Sequence, residues 1–101
     1  KPTLHKAEYT LSGIYYESGF AEEGARRMEK VVKQVSDNHE YWHALGVACQ
    51  TVGSPARLQL GKKAFTKATE LEPTNSVYWR DLAYIEKELN EGSRAETHYR
   101  K

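Results

Sequence analysis

The feature that most constrains this chain is an internal recurrence. Asn38-His39-Glu40-Tyr41-Trp42-x-x-Leu45-Gly46 is matched by Asn75-Ser76-Val77-Tyr78-Trp79-x-x-Leu82-Ala83, and the two tryptophans stand 37 residues apart. Self-similarity at such a period is the signature of stacked supersecondary units, each unable to bury its apolar face alone. After Trp42 come Gly53, Ala64, Phe65, Ala68 and Pro73. After Trp79 come Gly92, Ala95 and Tyr99. A preceding stretch aligns more loosely through Gly13, Tyr16, Gly19 and Ala25 and lacks the tryptophan.

The apolar residues recur at helical spacing throughout, and no alternating run bounded by turn signals predicts a strand. Six helices are expected. The first covers 1–18, with Leu4, Leu11, Ile14 and Tyr15 as its apolar stripe, and stops at Ser18-Gly19, where glycine tolerates the left-handed conformation. The second covers 20–35, with Ala25, Met28, Val31, Val32 and Val35 inward. Ser36-Asp37-Asn38 caps the third, 39–51, with Trp42, Leu45, Ala48 and Cys49 inward. Gly46 lies mid-helix, where it costs about 1 kcal/mol against alanine, and so marks a close approach by a neighbour. Val52-Gly53-Ser54-Pro55 breaks the chain. Pro55 starts a fourth helix that runs to Leu71 and ends at Glu72-Pro73. Its candidates for burial are Leu58, Leu60, Gly61, Ala64, Phe65 and Ala68. Thr74-Asn75-Ser76 caps a fifth, 77–89, with Trp79, Leu82, Ala83 and Ile85 inward. Asn90-Glu91-Gly92-Ser93 reads as a turn before a sixth helix that carries Ala95 and Tyr99.

Composition narrows the function classes. The chain has 101 residues and a net charge of +1, which fits a single domain without the basic stripe of nucleic-acid domains. Without an initiator Met or a stop signal, it reads as a segment of a longer protein. Seven Tyr and two Trp supply bulk for a small core. The single cysteine excludes an internal disulfide framework and fits a reducing, intracellular setting, cytoplasmic or nuclear. No signal peptide or membrane-length apolar run is present.

One motif points to chemistry. His39-Glu40-x-x-His43 has the spacing of a zinc-peptidase helix, with two His on one face and Glu as base. Against it, His39 falls at the helix start, the histidines are not repeated beside Trp79, and Glu70 or Glu72 would be an arbitrary third ligand. The plainer alternative is that His39 and Glu40 belong to the helix start and His43 faces solvent or a groove. Cys49, on an apolar face with no basic neighbour in sequence, reads as a buried inert thiol. Arg26-Arg27 and Lys62-Lys63 read as solvated faces. His5 and His98 are isolated, and the serines form no nucleophile pattern. No enzyme activity, cofactor, metal or small-molecule substrate is expected.

The middle unit resembles the tetratricopeptide repeat family, whose pattern of Trp, Leu-Gly, Tyr, Ala, Phe, Ala and Pro spans about 34 residues. Trp42, Leu45, Gly46, Phe65, Ala68 and Pro73 fall on it. Gly61 replaces the usual alanine, Cys49 replaces the tyrosine, and the extra residues fit best within 54–59. Trp79, Leu82, Ala83, Ala95 and Tyr99 match in the last unit. That unit is also similar, through Trp79, Ala83, Glu86, Arg94 and Tyr99, to the half-a-tetratricopeptide repeats of RNA-processing scaffolds. The stretch 38–65 looks like part of the repeat scaffold of the superkiller RNA-decay complex.

The resemblance implies an all-α fold, an α-solenoid of three antiparallel helix-turn-helix units (about 3–37, 38–74 and 75–101) in a right-handed superhelical array. It also implies a protein-interaction scaffold that holds a partner peptide or helix in its concave groove. The groove positions are Glu40, His43, Val47 and Gln50 in the middle unit and Val77, Arg80, Tyr84 and Lys87 in the last. Ala7, Thr10, Ile14 and Glu17 correspond in the first, and simple solvent exposure is the alternative for all of them. The family's clamp for a chaperone's terminal carboxylate would fall on Thr10, Ile14, Ala44, Val77 and Asp81, none of which fits. A segment with apolar anchors and an acidic group suits the groove better. The alternative is a structural segment of an RNA-processing or RNA-decay scaffold. Neither nucleic acid nor membrane is expected as a direct partner.

Overall fold

The computed structural model describes the backbone from Pro2 to Tyr99 and the side chains from His5 to Asn90. It is all-helical, with five helices and, among the described residues, no strand: α1 (Pro2–Glu17), α2 (Ala21–Gln34), α3 (His39–Val52), α4 (Pro55–Leu71) and α5 (Ser76–Tyr99). The ends follow local chemistry. Gly19 and Gly53 adopt φ of 89° and 78°, in the left-handed region, after α1 and α3. Asn38 Oδ1 accepts from Tyr41 N–H at 3.1 Å, and Asn75 Oδ1 accepts from the N–H groups of Val77 and Tyr78 at 3.0 and 3.3 Å. Pro55 occupies the first turn of α4 behind Ser54, whose hydroxyl accepts from Arg57 N–H at 3.4 Å.

The expected turn at Asn90-Glu91-Gly92-Ser93 is not formed. α5 runs through it, so five helices replace the six expected. A helical glycine costs only about 1 kcal/mol, and Glu91, Arg94 and Ala95 around it are strong helix formers. The packing assigned to Leu4, Ala95 and Tyr99 lies outside the described side chains.

Each helix packs on its neighbour in sequence, and α3 also touches α1. Two apolar clusters result. One joins α2, α3 and α4 through Met28, Val31, Val32, Leu45, Cys49 and Ala64. The other joins α4 to α5 through Phe65, Leu82 and Ile85, with Val47 and Leu58 against it. Gly46 does mark a close approach, because a Cβ there would overlap the fully buried Phe65 ring. A Cβ on Gly61 would stand 2.7 Å from Ile85 Cδ1 and 3.1 Å from Cys49 Cβ.

Two of the expected packing faces are corrected. Trp79 is 49% exposed and Ala83 is exposed, while the neighbouring Tyr78 is buried. Trp42 does pack against the first cluster but is only half-buried, and Tyr41 takes the buried position beside it. The physical reason is the indole N–H, which needs an acceptor. Trp42 Nε1 donates to Ser36 O at 2.8 Å and Trp79 Nε1 to Pro73 O at 2.7 Å, at the end of the preceding segment in each case. On α1, Leu11 and Ile14 are exposed. α1 meets α2 instead through a small-residue contact, since a Cβ on Gly24 would lie 3.0 Å from Ser12 O. Phe20, expected inside the second helix, precedes it and is 62% exposed.

Arg57, at the start of α4, ties that helix to α2. Its guanidinium donates from Nε and Nη2 to Glu22 and from Nη1 to Glu29 at 3.0 Å. The hydrogen bond from Arg57 holds the Glu22 carboxyl below its usual pKa. A depressed folded-state pKa stabilises above the ordinary carboxylate value, and that stability is lost as pH falls through the folded value.

Three substitutions check this packing. Gly46→Ala should destabilise by about 1–3 kcal/mol in denaturant titrations, because overpacking against Phe65 outweighs the helix-propensity gain. Gly13→Ala should be neutral or stabilising by up to about 1 kcal/mol, since a Cβ there meets only Tyr16 at 3.9 Å. The loss of melting temperature caused by Arg57→Ala should shrink as pH is lowered from about 6 to about 3, below the ordinary Glu value.

Candidate binding surface

The groove residues of the middle and last units lie on α3 and α5, those of the first on α1, and α3 and α5 are joined by a row of polar contacts. His39 Nδ1 lies 2.8 Å from the Tyr78 hydroxyl, and its Nε2 lies 3.5 Å from Glu72 Oε2. His43 Nε2 donates to Asp81 Oδ2 at 2.7 Å. Gln50 Nε2 donates to Glu88 Oε1 at 2.8 Å. The three cross-helix partners on α5 follow their α3 residues by 39, 38 and 38 positions. The contacts therefore step along both helices together.

His43 is the centre of this junction. Its ring stacks on Tyr78 with centroids 4.7 Å apart and lies 5.6 Å from Phe65. It is half-buried, as is Gln50, and both are committed to α5 rather than presented to solvent. Burial, followed by the negative charge of Glu40, raises the Tyr78 phenol above its ordinary pKa. Tyr78 therefore stays a neutral hydroxyl, able both to donate and to accept.

Val47 divides its surface between the Phe65 cluster and a cleft of about 390 Å³ between α1 and α3. Tyr9, Thr10, Gly13 and Tyr16 line the α1 side of that cleft, with His43 and Val47 opposite. The structure thus brings His43, Val47 and Thr10 together. Arg80, Tyr84, Lys87 and Val77 are exposed along one stripe of α5 and do not line this cleft. Glu40 is exposed at the start of α3.

The two imidazoles of the His39-Glu40-x-x-His43 motif are aimed at different partners, Tyr78 with Glu72 and Asp81. Among the described residues no group of three or more His, Cys, Asp or Glu side chains gathers as a metal-ligand set. Cys49 is fully buried, and burial pushes its thiol up to about 12. The sequence reading missed Tyr78, Asp81 and Glu88 as partners of α3. Laying the units over one another at the 37-residue step puts His43 and Gln50 on Arg80 and Lys87, so Asp81 and Glu88 stand one position beyond the equivalent places and the recurrence did not single them out.

No family model matches the chain. It is 32% identical over 68 residues to Superkiller complex protein 3 of Homo sapiens and 32% identical over 69 residues to that of Mus musculus. These matches cover 67% and 68% of this chain. The chain spans about 4% of the length of these curated relatives. Among the described residues no helix is long and apolar enough to cross a membrane.

The His43–Asp81 contact gives a direct test of the junction. Their side chains are 26% and 24% exposed. A double-mutant cycle with His43→Ala and Asp81→Ala should return a coupling of about 0.5–1 kcal/mol in denaturant titrations. Pairing Gln50→Ala with Asp81→Ala, which removes one member of each of two separate contacts, should return a smaller coupling.

Proposed function

We propose that this chain is a segment of a tandem-repeat α-solenoid of the tetratricopeptide type, with units near 3–37 and 38–74 as antiparallel helix pairs and the unit near 75–101 represented by the single helix α5, in a right-handed array. Its function is to hold a protein partner. The observation that carries this reading is the duplicated local geometry of α3 and α5. In both, an Asn side chain caps the helix, a Tyr turns inward, and the following Trp donates its indole N–H six residues back. Duplication of packing geometry at a 37-residue step is what a stacked array requires of each unit. α5 stands for the third unit, whose second helix was expected beyond Gly92.

On this reading the partner lies along the face formed by α1, α3 and α5, and its contacts are carried chiefly by exposed Arg80, Tyr84, Lys87 and Val77. Glu40 and Val47 contribute from α3, where His43 and Gln50 set the surface rather than supply it. An apolar and an aromatic side chain beside two cations suit a peptide or helix with apolar anchors and an acidic group. The chain acts without catalysing a reaction, inside the cell. A second reading, a structural segment of an RNA-processing or RNA-decay scaffold, is favoured by the likeness to Superkiller complex protein 3.

The experiment is affinity capture with the wild-type chain and the Arg80→Ala/Tyr84→Ala variant side by side. A partner held in the groove should be retained at least about tenfold more weakly by the variant, an effect of about 1.4 kcal/mol. Helix content by circular dichroism should be unchanged. Equal retention by both proteins rejects the groove assignment.

A further inference from the structure

A second and larger cleft lies away from that face. It measures about 860 Å³ and is bounded by Ser36, Trp42, Leu60, Lys62, Lys63 and Lys67. Its volume falls within the range of about 300–1,000 Å³ that accommodates small ligands or a few inserted side chains. Trp42 and Leu60 give it an apolar lining, and Lys62 and Lys63 line it from one turn of α4 and Lys67 from the next.

Two features define what would occupy it. Trp42 has already committed its N–H to Ser36 O at 2.8 Å, so it offers the cleft an apolar ring and no donor. The lysines are incompletely neutralised. Lys62 reaches Glu86 only at 3.8 Å and Lys67 reaches Glu70 only at 4.0 Å. Among the described residues Lys63 has no carboxylate within ion-pair distance. Like charges at i and i+4, as at Lys63 and Lys67, work against a helix unless an anion lies between them.

We propose that this cleft docks a short acidic segment of a partner protein, with a Leu or Phe seated on Trp42 and Leu60 and flanking carboxylates on Lys63 and Lys67. Nucleic acid would place phosphates on the same lysines, but the surroundings favour carboxylates. Glu70 stands on the rim, the net charge is only +1 and the lining at Trp42 and Leu60 is apolar. Nucleic-acid surfaces carry a continuous basic stripe. The cleft is separate from the stripe of Arg80 and Tyr84, so its test succeeds or fails independently of the groove.

The probe is an acetylated peptide of about a dozen residues, Asp and Glu around a central Leu-Phe, titrated into the ¹⁵N-labelled chain. The Trp42 indole N–H and the amides of Lys63 and Lys67 should shift, while the Trp79 indole stays in place. The Lys63→Glu/Lys67→Glu variant should bind at least about tenfold more weakly, and Lys63→Gln/Lys67→Gln should fall between. Arg80→Ala/Tyr84→Ala should bind as the wild type does. The proposal is overturned if the Trp42 signal does not move at millimolar peptide. It is equally overturned if a peptide with Lys in place of every acid binds as well, or if oligothymidylate displaces the acidic peptide.

Discussion

The meeting of Gly46 with the Phe65 ring is the contact from which the geometry of the middle of the chain follows. With no Cβ at Gly46, the ring lies directly on the α3 backbone, fully buried, and α4 takes its distance from α3 accordingly. Gly61 then leaves room on α4 for Ile85, so α5 is drawn in against the same place. Phe65, Leu82 and Ile85 close as one cluster. His43 lies against the edge of that cluster and beside Tyr78, which is how an exposed-looking histidine in the sequence becomes an interhelical contact. Two missing side chains thereby set the spacing of three helices.

Around this apolar centre, polar contacts bind alternate helices. Arg57 joins α4 to α2 through Glu22 and Glu29. His39, His43 and Gln50 join α3 to α5. Apolar contact alone would allow neighbouring helices to slide, because it is non-directional. Hydrogen bonds at fixed offsets give the register. Arg57 is well suited to this because its planar fork meets two carboxylates at once. The described residues so arranged measure 52 × 30 × 20 Å.

Much of this was legible in the sequence where one residue decides the outcome locally. Asn38, Gly53, Pro55 and Asn75 fix helix ends through their own backbone and side-chain chemistry, and the close approach at Gly46 follows from a glycine where helix propensity opposes one. Legibility failed where two residues compete for one position. Tyr41 and Trp42 are adjacent and aromatic, as are Tyr78 and Trp79. Which of each pair turns inward depends on an acceptor for the indole N–H, and that acceptor is a carbonyl at the end of the preceding segment. The α1 stripe failed for another reason. Leu11 and Ile14 follow the helical period, yet Ser12 and Gly24 let the backbones of α1 and α2 approach on a different side. Periodicity identifies an apolar face without saying what covers it.

The same distinction separates packing residues from binding residues in the groove. The family resemblance groups His43 and Gln50 with Arg80 and Tyr84 by their place in the repeat, but place in the repeat is blind to the neighbouring helix. Half-buried and hydrogen-bonded to α5, His43 and Gln50 determine how α3 and α5 sit together. Replacing either one changes the shape of the surface before it removes a contact. Tyr84, 59% exposed, and Arg80 beside it have no such internal duty in the described contacts. A loss of binding on their replacement therefore reports on recognition itself, whereas a loss at His43 reports on recognition and junction geometry together.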